Sequence, residues 1–250
     1  MRKTSRWSVT LGIGLGLFGA GALPAGADPI VFTTRAIFAA SLGVRITDDY
    51  SAAGYAHGDI ADSGDLDIHS DAHMTSVVGE TRYLTTGQPG TNLILAQGGS
   101  FLGEQDNPKY CAGCNGSFRL LFDATSIGTD RGVFAVGFEY FNIRDESIPD
   151  NLFLYDALVT FGDGSSRSFD LQAAETSLSF FGITSGSRIQ SIHFAPNGGR
   201  APSQIGAFGI DNLTIGSPVP EPGTLGLLGG GVLAFGCRRR RRRANAQPAA

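Results

Sequence analysis

Apolar and polar residues alternate through most of the middle of the chain in short runs broken by Gly, Asp, Asn and Ser. This is the pattern of half-buried strands separated by turns. The runs predict strands over 44–49, 66–74, 77–84, 93–96, 118–123, 133–142, 152–161, 166–171, 178–181, 188–194 and 208–215. Gly162, Asp163 and Gly164 predict a hairpin between the strand carrying Val159 and Phe161 and the one carrying Phe169 and Leu171. The Asp-Gly pair supplies the positive φ angles that such turns require. One segment, 35–42, keeps a helical period instead. Thr33 or Thr34 would cap it, and Ile37, Phe38 and Leu42 would form its buried face. The strand spacing predicts an all-β sandwich with one short N-terminal helix.

The two ends break this pattern. Arg2, Lys3 and Arg6 precede an apolar run over 9–23, which Ala25, Gly26 and Ala27 follow. A charged start, an apolar run and an A-x-A site define a secretory signal peptide, cut after Ala27 so that Asp28 leads the exported chain. Gly14, Gly16 and Gly19 fit the dinucleotide pattern G-x-G-x-x-G, but no strand precedes them and they lie in the signal peptide, so the match is discarded. At the other end stand Val219, Pro220, Glu221, Pro222 and Gly223, an apolar Gly-rich stretch over 224–237, and six arginines, Arg238, Arg239, Arg240, Arg241, Arg242 and Arg243. Pro218, Pro220 and Pro222 keep helix out of the chain before Gly223. The arginines hold their end on the cytoplasmic side, which puts everything before Pro218 outside.

This tail resembles the PEP-CTERM sorting signal of Gram-negative bacteria, a tail also called the ice-binding protein C-terminal domain. The resemblance rests on Val219, Pro220, Glu221 and Pro222, the apolar segment and the arginine block, in that order and at the C-terminal end. It implies passage through the secretion machinery, recognition by an exosortase, and residence at the cell surface or in an exopolysaccharide matrix. The apolar segment has 14 residues, five of them glycine. As a helix it would measure about 21 Å, against a hydrocarbon core of about 30 Å. That suits a transient membrane tether, with a lasting single-pass anchor as the alternative. The organisation is then signal peptide 1–27, β-sandwich domain 28–217 and sorting tail 218–250.

Cutting away both ends changes the charge. The whole chain has a formal net charge of −4, but residues 28–217 hold 10 basic and 22 acidic residues, a net of −12. Such a body is repelled by nucleic acid and by anionic lipid. Calcium or a neutral polysaccharide suits it better.

The body also looks like the β-sandwich domains that precede such tails. The residues are Gly137, Phe138 and Glu139; the stretch 159–164; Phe180, Phe181, Gly182 and Ile183; and Phe208, Gly209, Ile210, Asp211, Asn212 and Leu213. A closing strand of this kind is similar to those of jelly-roll and concanavalin-like modules. The similarity implies a structural calcium at Asp48, Asp49 and Asp211. The alternative places Asp211 and Asn212 in a β-bulge or on a solvated edge.

Three further clusters carry chemistry. Cys111 and Cys114 form C-A-G-C, and Cys237 lies in the tail. In an oxidising compartment a local disulfide between Cys111 and Cys114 is the leading reading, with metal or redox roles as alternatives. Residues 48–73 hold seven acids, His57, His69 and His73, and no Lys or Arg. As a strand, 65–73 would put Asp65, Asp67, His69, Asp71 and His73 on one face, where His69 and His73 could take zinc. A solvated face produces the same alternation. No G-x-S-x-G, H-E-x-x-H or P-loop is present, so no catalytic residue is assigned. Glu139 and Asp156 would be the carboxylates available to a glycosidase. Tyr50, Tyr55, Tyr83, Tyr110, Tyr140 and Tyr155 would be rings for stacking on sugar, since the one tryptophan, Trp7, is in the signal peptide. Two functions follow: a non-enzymatic surface or matrix protein that binds exopolysaccharide, or a secreted metal-assisted glycosidase or lyase.

Overall fold

The computed structural model describes residues 28–55, 57–58, 73–78, 80–86, 92–95, 108–114, 116–143, 154–196 and 207–219. Among them the elements run β1 (Ile30–Phe32), α1 (Arg35–Ala40), β2 (Leu42–Asp48), β3 (His57–Gly58), β4 (His73–Thr75), β5 (Arg82–Thr85), β6 (Leu93–Leu95), β7 (Lys109–Cys111), β8 (Phe118–Leu121), β9 (Val133–Ile143), β10 (Tyr155–Phe161), β11 (Ser166–Asp170), β12 (Ala174–Ala195) and β13 (Ala207–Pro218). The domain is all-β and sandwich-like. One antiparallel layer runs β1, β12, β9, β13, β2. The other runs β11, β10, β12, β8, β5, β4. Strand β7 adds to β13 beyond the end of β2, followed by β6 and then by β3, which lies parallel to β6.

Strand β12 belongs to both layers. Its first half pairs with β9 and β1, and its second half lies between β10 and β8. The separate strands expected over 178–181 and 188–194 are therefore one strand of 22 residues. The Gly- and Ser-containing stretch between them reads as a turn in sequence. It is held extended because β1 and β9 pair with Gly182, Ile183 and Thr184 from either side. Val77 and Val78 also leave their expected strand. They sit in a turn that Ser76 closes, its amide donating to the Thr81 carbonyl at 2.9 Å and its hydroxyl accepting from the Glu80 amide at 3.1 Å. The hairpin at 162–164 forms with Gly164 at φ 86°, and Asp163 accepts hydrogen bonds from the amide and hydroxyl of Ser165.

The two layers enclose an aromatic core in which Phe118, Phe138, Phe194 and Phe208 are fully buried. Tyr155 stacks on Phe208 with ring centroids 5.0 Å apart. Buried Asn142 ties the layers together. Its amide nitrogen donates to the carbonyls of Tyr155 and Leu171, each at 3.1 Å, and its oxygen accepts from the Tyr155 amide at 3.0 Å. Satisfied on both sides, this side chain fixes the register of β9 against β10 and the end of β11.

Candidate functional site

Helix α1 crosses the outer face of the first layer, and two glycines decide where it sits. Gly137 and Gly182 face each other across β9 and β12. The ring of Phe38 rests on both: a Cβ at Gly137 would lie 2.5 Å from it and one at Gly182 2.8 Å from it. Phe32 and Phe180 flank the ring at 5.6 Å. Thr34 precedes the helix with extended backbone but makes no side-chain cap bond, so packing rather than capping holds so short a helix. Phe38 and Leu42 are buried as expected, whereas Ile37 is 62% exposed. The helix stops at Ala40, short of the expected bound, so Leu42 is buried as the first residue of β2 and Phe38 is the one buried residue of the helix itself.

This docking places Arg35 over the sheet. Its guanidinium donates to Glu139 Oε1 at 3.2 Å and to Asn212 Oδ1 at 3.1 Å, while Asn212 Nδ2 donates to Glu139 Oε2 at 2.8 Å. Asn212 reaches this position because β13 bulges between Asp211 and Thr214, with Asn212 at φ 51°. Asn tolerates that left-handed conformation better than most residues. Both oxygens of Glu139 are thus occupied in a closed triangle of side chains.

An open groove of about 770 Å³ lies beside the triangle. Its lining includes Val31, Arg35, Glu139, Phe169, Gln172 and Phe180. The half-buried ring of Phe169 carries the Arg167 guanidinium 5.2 Å from its centroid. The size is that of a small-ligand site, with ring faces and convergent polar groups. The sequence reading gave Arg35, Asn212 and Phe169 no part in a site, although the β-bulge it offered for Asp211 and Asn212 is present. Arg35 stood alone in sequence, and only the bulge and the glycine platform bring it to Glu139.

The tyrosines expected to stack on sugar are core residues instead. Tyr50, Tyr55, Tyr83, Tyr110, Tyr140 and Tyr155 are all at most 7% exposed. The hydroxyls of Tyr50, Tyr55, Tyr83, Tyr110 and Tyr140 find partners inside, which lets these rings be buried. Tyr50 and Tyr83 share a hydrogen bond of 3.0 Å, and Tyr110 donates to Asn92 at 2.6 Å. Tyr55 donates to Asp48 Oδ2, and the other Asp48 oxygen accepts from the Tyr50 amide at 3.0 Å. Burial raises the Asp48 pKa against the lowering effect of these two bonds.

The remaining carboxylates and cysteines make local contacts. Asp49 is exposed and accepts from the hydroxyl and amide of Ser51, which lower its pKa. Buried Asp211 accepts from the Asn212 amide at 2.6 Å, inside the bulge. Among the described residues no group of three or more His, Cys, Asp and Glu side chains gathers to hold a metal. Glu139 lies between Phe180 and Asp211 in the first layer, and Asp156 lies between Asp170 and Ala195 in the second. Cys111 and Cys114 are joined by a disulfide. It closes a turn in which Gly113 and Cys114 both have positive φ, and the Cys114 carbonyl accepts from the Phe208 amide at 2.9 Å. The backbone of His73 pairs with Leu84, while His69 lies outside the described residues. His193 is the histidine whose surroundings are described: its Nε2 lies 2.8 Å from Thr86 Oγ1, and burial, then the Arg119 cation, hold its pKa down at about 4.

The body passes into its tail without a linker. Strand β13 ends at Pro218, which pairs with Leu42, and Val219 begins the Pro-Glu-Pro run. A sandwich-like domain whose last strand leads straight into a C-terminal address signal is an exported, sorted protein. The family model of the PEP-CTERM protein-sorting motif matches residues 218–242, so the chain carries that signal and is an exosortase substrate. No curated protein and no solved structure matches the chain. Among the described residues no helix is long and apolar enough to cross a membrane. The apolar segment 224–237, Arg238 to Arg243 and the signal peptide with Ala25 and Ala27 lie outside the described residues.

Proposed function

We propose that the exported domain is a non-enzymatic component of the surface or matrix of a Gram-negative bacterium, and that it holds a neutral stretch of exopolysaccharide in the groove beside Arg35. The observation that carries this reading is the closed triangle of Arg35, Glu139 and Asn212. A carboxylate whose two oxygens both accept hydrogen bonds, one of them from a guanidinium, is poorly placed to deliver or accept a proton in glycosidic cleavage. Arg35 and Glu139 of the triangle line the groove and offer polar groups for sugar hydroxyls, and Phe180 and Phe169 offer ring faces for the apolar sides of sugar rings. The net charge of −12 favours a neutral or cation-bridged glycan over a polyanionic one. In this reading the tail tethers the chain to the membrane in transit and is then removed.

The test is to incubate the exported protein with polysaccharides from its producer. Retention without new reducing ends or unsaturated products, weakened by Phe180→Ala and by Arg35→Ala, is the expected result. New chain ends would establish the alternative, a secreted glycosidase or lyase.

A further inference from the structure

The register of the first layer sets a direction on the domain. One transverse row crosses all five strands: Ile30 pairs with Thr184, Thr184 with Ala135, Ala135 with Gly216 and Gly216 with Arg45. Four strand spacings make the row about 19 Å wide. Both junctions of the exported chain fall at this end. Ile30 opens β1 just after Asp28, and Pro218 closes β13 opposite Leu42. The same end exposes apolar side chains at both edges: Ile30 is 60% exposed, Val44 63% and Val219 50%. Its charges nearly cancel, with Asp28 before Ile30, Arg45 on the row, Asp130 and Arg131 in the turn before β9, and Glu221 in the connection, whereas the domain as a whole is strongly acidic.

From these positions we infer that this end of the first layer is a membrane-docking surface, and that its partner is the outer face of the bilayer that holds the sorting tail. The inference rests on the tethered stage of the proposed function. Five residues, 219–223, separate the strand end from the apolar segment. Fully extended they span at most about 17 Å. The polar headgroup zone takes up roughly 5–8 Å of that. So short a connection brings the row against the headgroups, where exposed Ile30, Val44 and Val219 enter the interface and a nearly neutral end meets less repulsion than the rest of the body would. The connection is also too short for the domain to tumble freely. The orientation follows: Asn142 lies seven positions along β9 from Ala135, about 23 Å farther from the lipid, and Gln172, whose carbonyl accepts from Asn142, holds the groove wall at that distance. The lining of the groove thus runs from Val31, one residue from the row, out to Gln172, well clear of the lipid.

The test uses the exported chain, residues 28–250, with Cys237→Ser to leave one labelling site, reconstituted into phosphatidylcholine vesicles. An environment-sensitive dye is placed either at Val44→Cys or at Gln172→Cys, both exposed positions. Flotation reports whether the tail is inserted, and headgroup-spin-labelled lipid reports contact. The expected result is loss of emission at position 44 and none at position 172 in floating protein. Floating protein with position 44 unquenched, or with both positions quenched alike, overturns docking and leaves the tether standing. Protein that does not float overturns the tether, and the docking with it.

Discussion

Gly137→Ala tests whether the helix that carries Arg35 is held by a fit of ring to glycine. The new Cβ would stand 2.5, 2.8 and 2.9 Å from three atoms of the Phe38 ring. Ordinary carbon contacts are about 3.5–4.0 Å, so the ring must retreat by roughly 1 Å. Phe32 and Phe180, each 5.6 Å from it, block a sideways escape. Overpacking of this kind costs about 1–3 kcal/mol. Phe38→Ala alone removes a fully buried ring and costs about 3–5 kcal/mol. In that background the clash has gone, and alanine at 137 gains roughly 0.5–1 kcal/mol over glycine in a strand. The double variant is therefore expected to be as stable as Phe38→Ala or slightly more so, giving a favourable coupling of roughly 2–3 kcal/mol. At about 2–4 °C per kcal/mol for a domain of this size, Gly137→Ala alone lowers the melting temperature by several degrees. Urea unfolding of residues 28–250, which contain no tryptophan, followed by circular dichroism and tyrosine emission measures the cycle. An equal loss from Gly137→Ala in both backgrounds would refute the glycine platform.

Three further outcomes follow from the same structure. His193 has a folded pKa of about 4, below its unfolded value near 6.5, so its contribution to stability is full above 6.5 and is lost as pH falls toward 4; His193→Gln should flatten that slope in urea midpoints measured at pH 7 and pH 4.5. The disulfide closes a four-residue loop, for which the chain-entropy relation gives about 2 kcal/mol; Cys111→Ser with Cys114→Ser, or reduction, should lower stability by about that amount, and no change in urea midpoint would count against it. Asp48, Asp49 and Asp211 each accept from neighbouring side chains or amides. Chelation is accordingly expected to leave the melting temperature unchanged, and a calcium-dependent rise that Asp49→Ala removes would show a site held by these carboxylates.

Much of the fold is legible because a half-buried strand must alternate. The strand at Val133 matches its expected bounds to within one residue, and the closing strand at Phe208 begins one residue early and runs three residues past its expected end. The continuous β12 is hidden because Gly182, Ser185 and Gly186 have turn composition, and it is pairing with β1 on one side and β9 on the other that keeps Gly182 extended. Strand β7 is hidden for a different reason: Lys109, Tyr110 and Cys111 are all buried, so no alternation marks them. The groove is the least legible part. Glu139 and Asn212 stand in recognisable strands, but their meeting with Arg35 depends on a one-residue bulge and on a ring seated over two glycines. The tyrosines mislead because a sequence displays their aromatic faces and not the buried acceptors, such as Asp48 and Asn92, that draw their hydroxyls inward.

The N-terminal segment reaches both edges of the first layer: β1 borders β12, and β2 borders β13, with Asp48 opposite Leu213. The earliest part of the exported chain therefore waits for the last strand before the layer can close. Pairings between such distant positions form late and slowly. A chain emerging through a translocation channel cannot complete this domain until almost all of it has crossed. Threading is thereby protected from premature folding at its source, and the sorting motif arrives in the same moment as the strand that finishes the sheet.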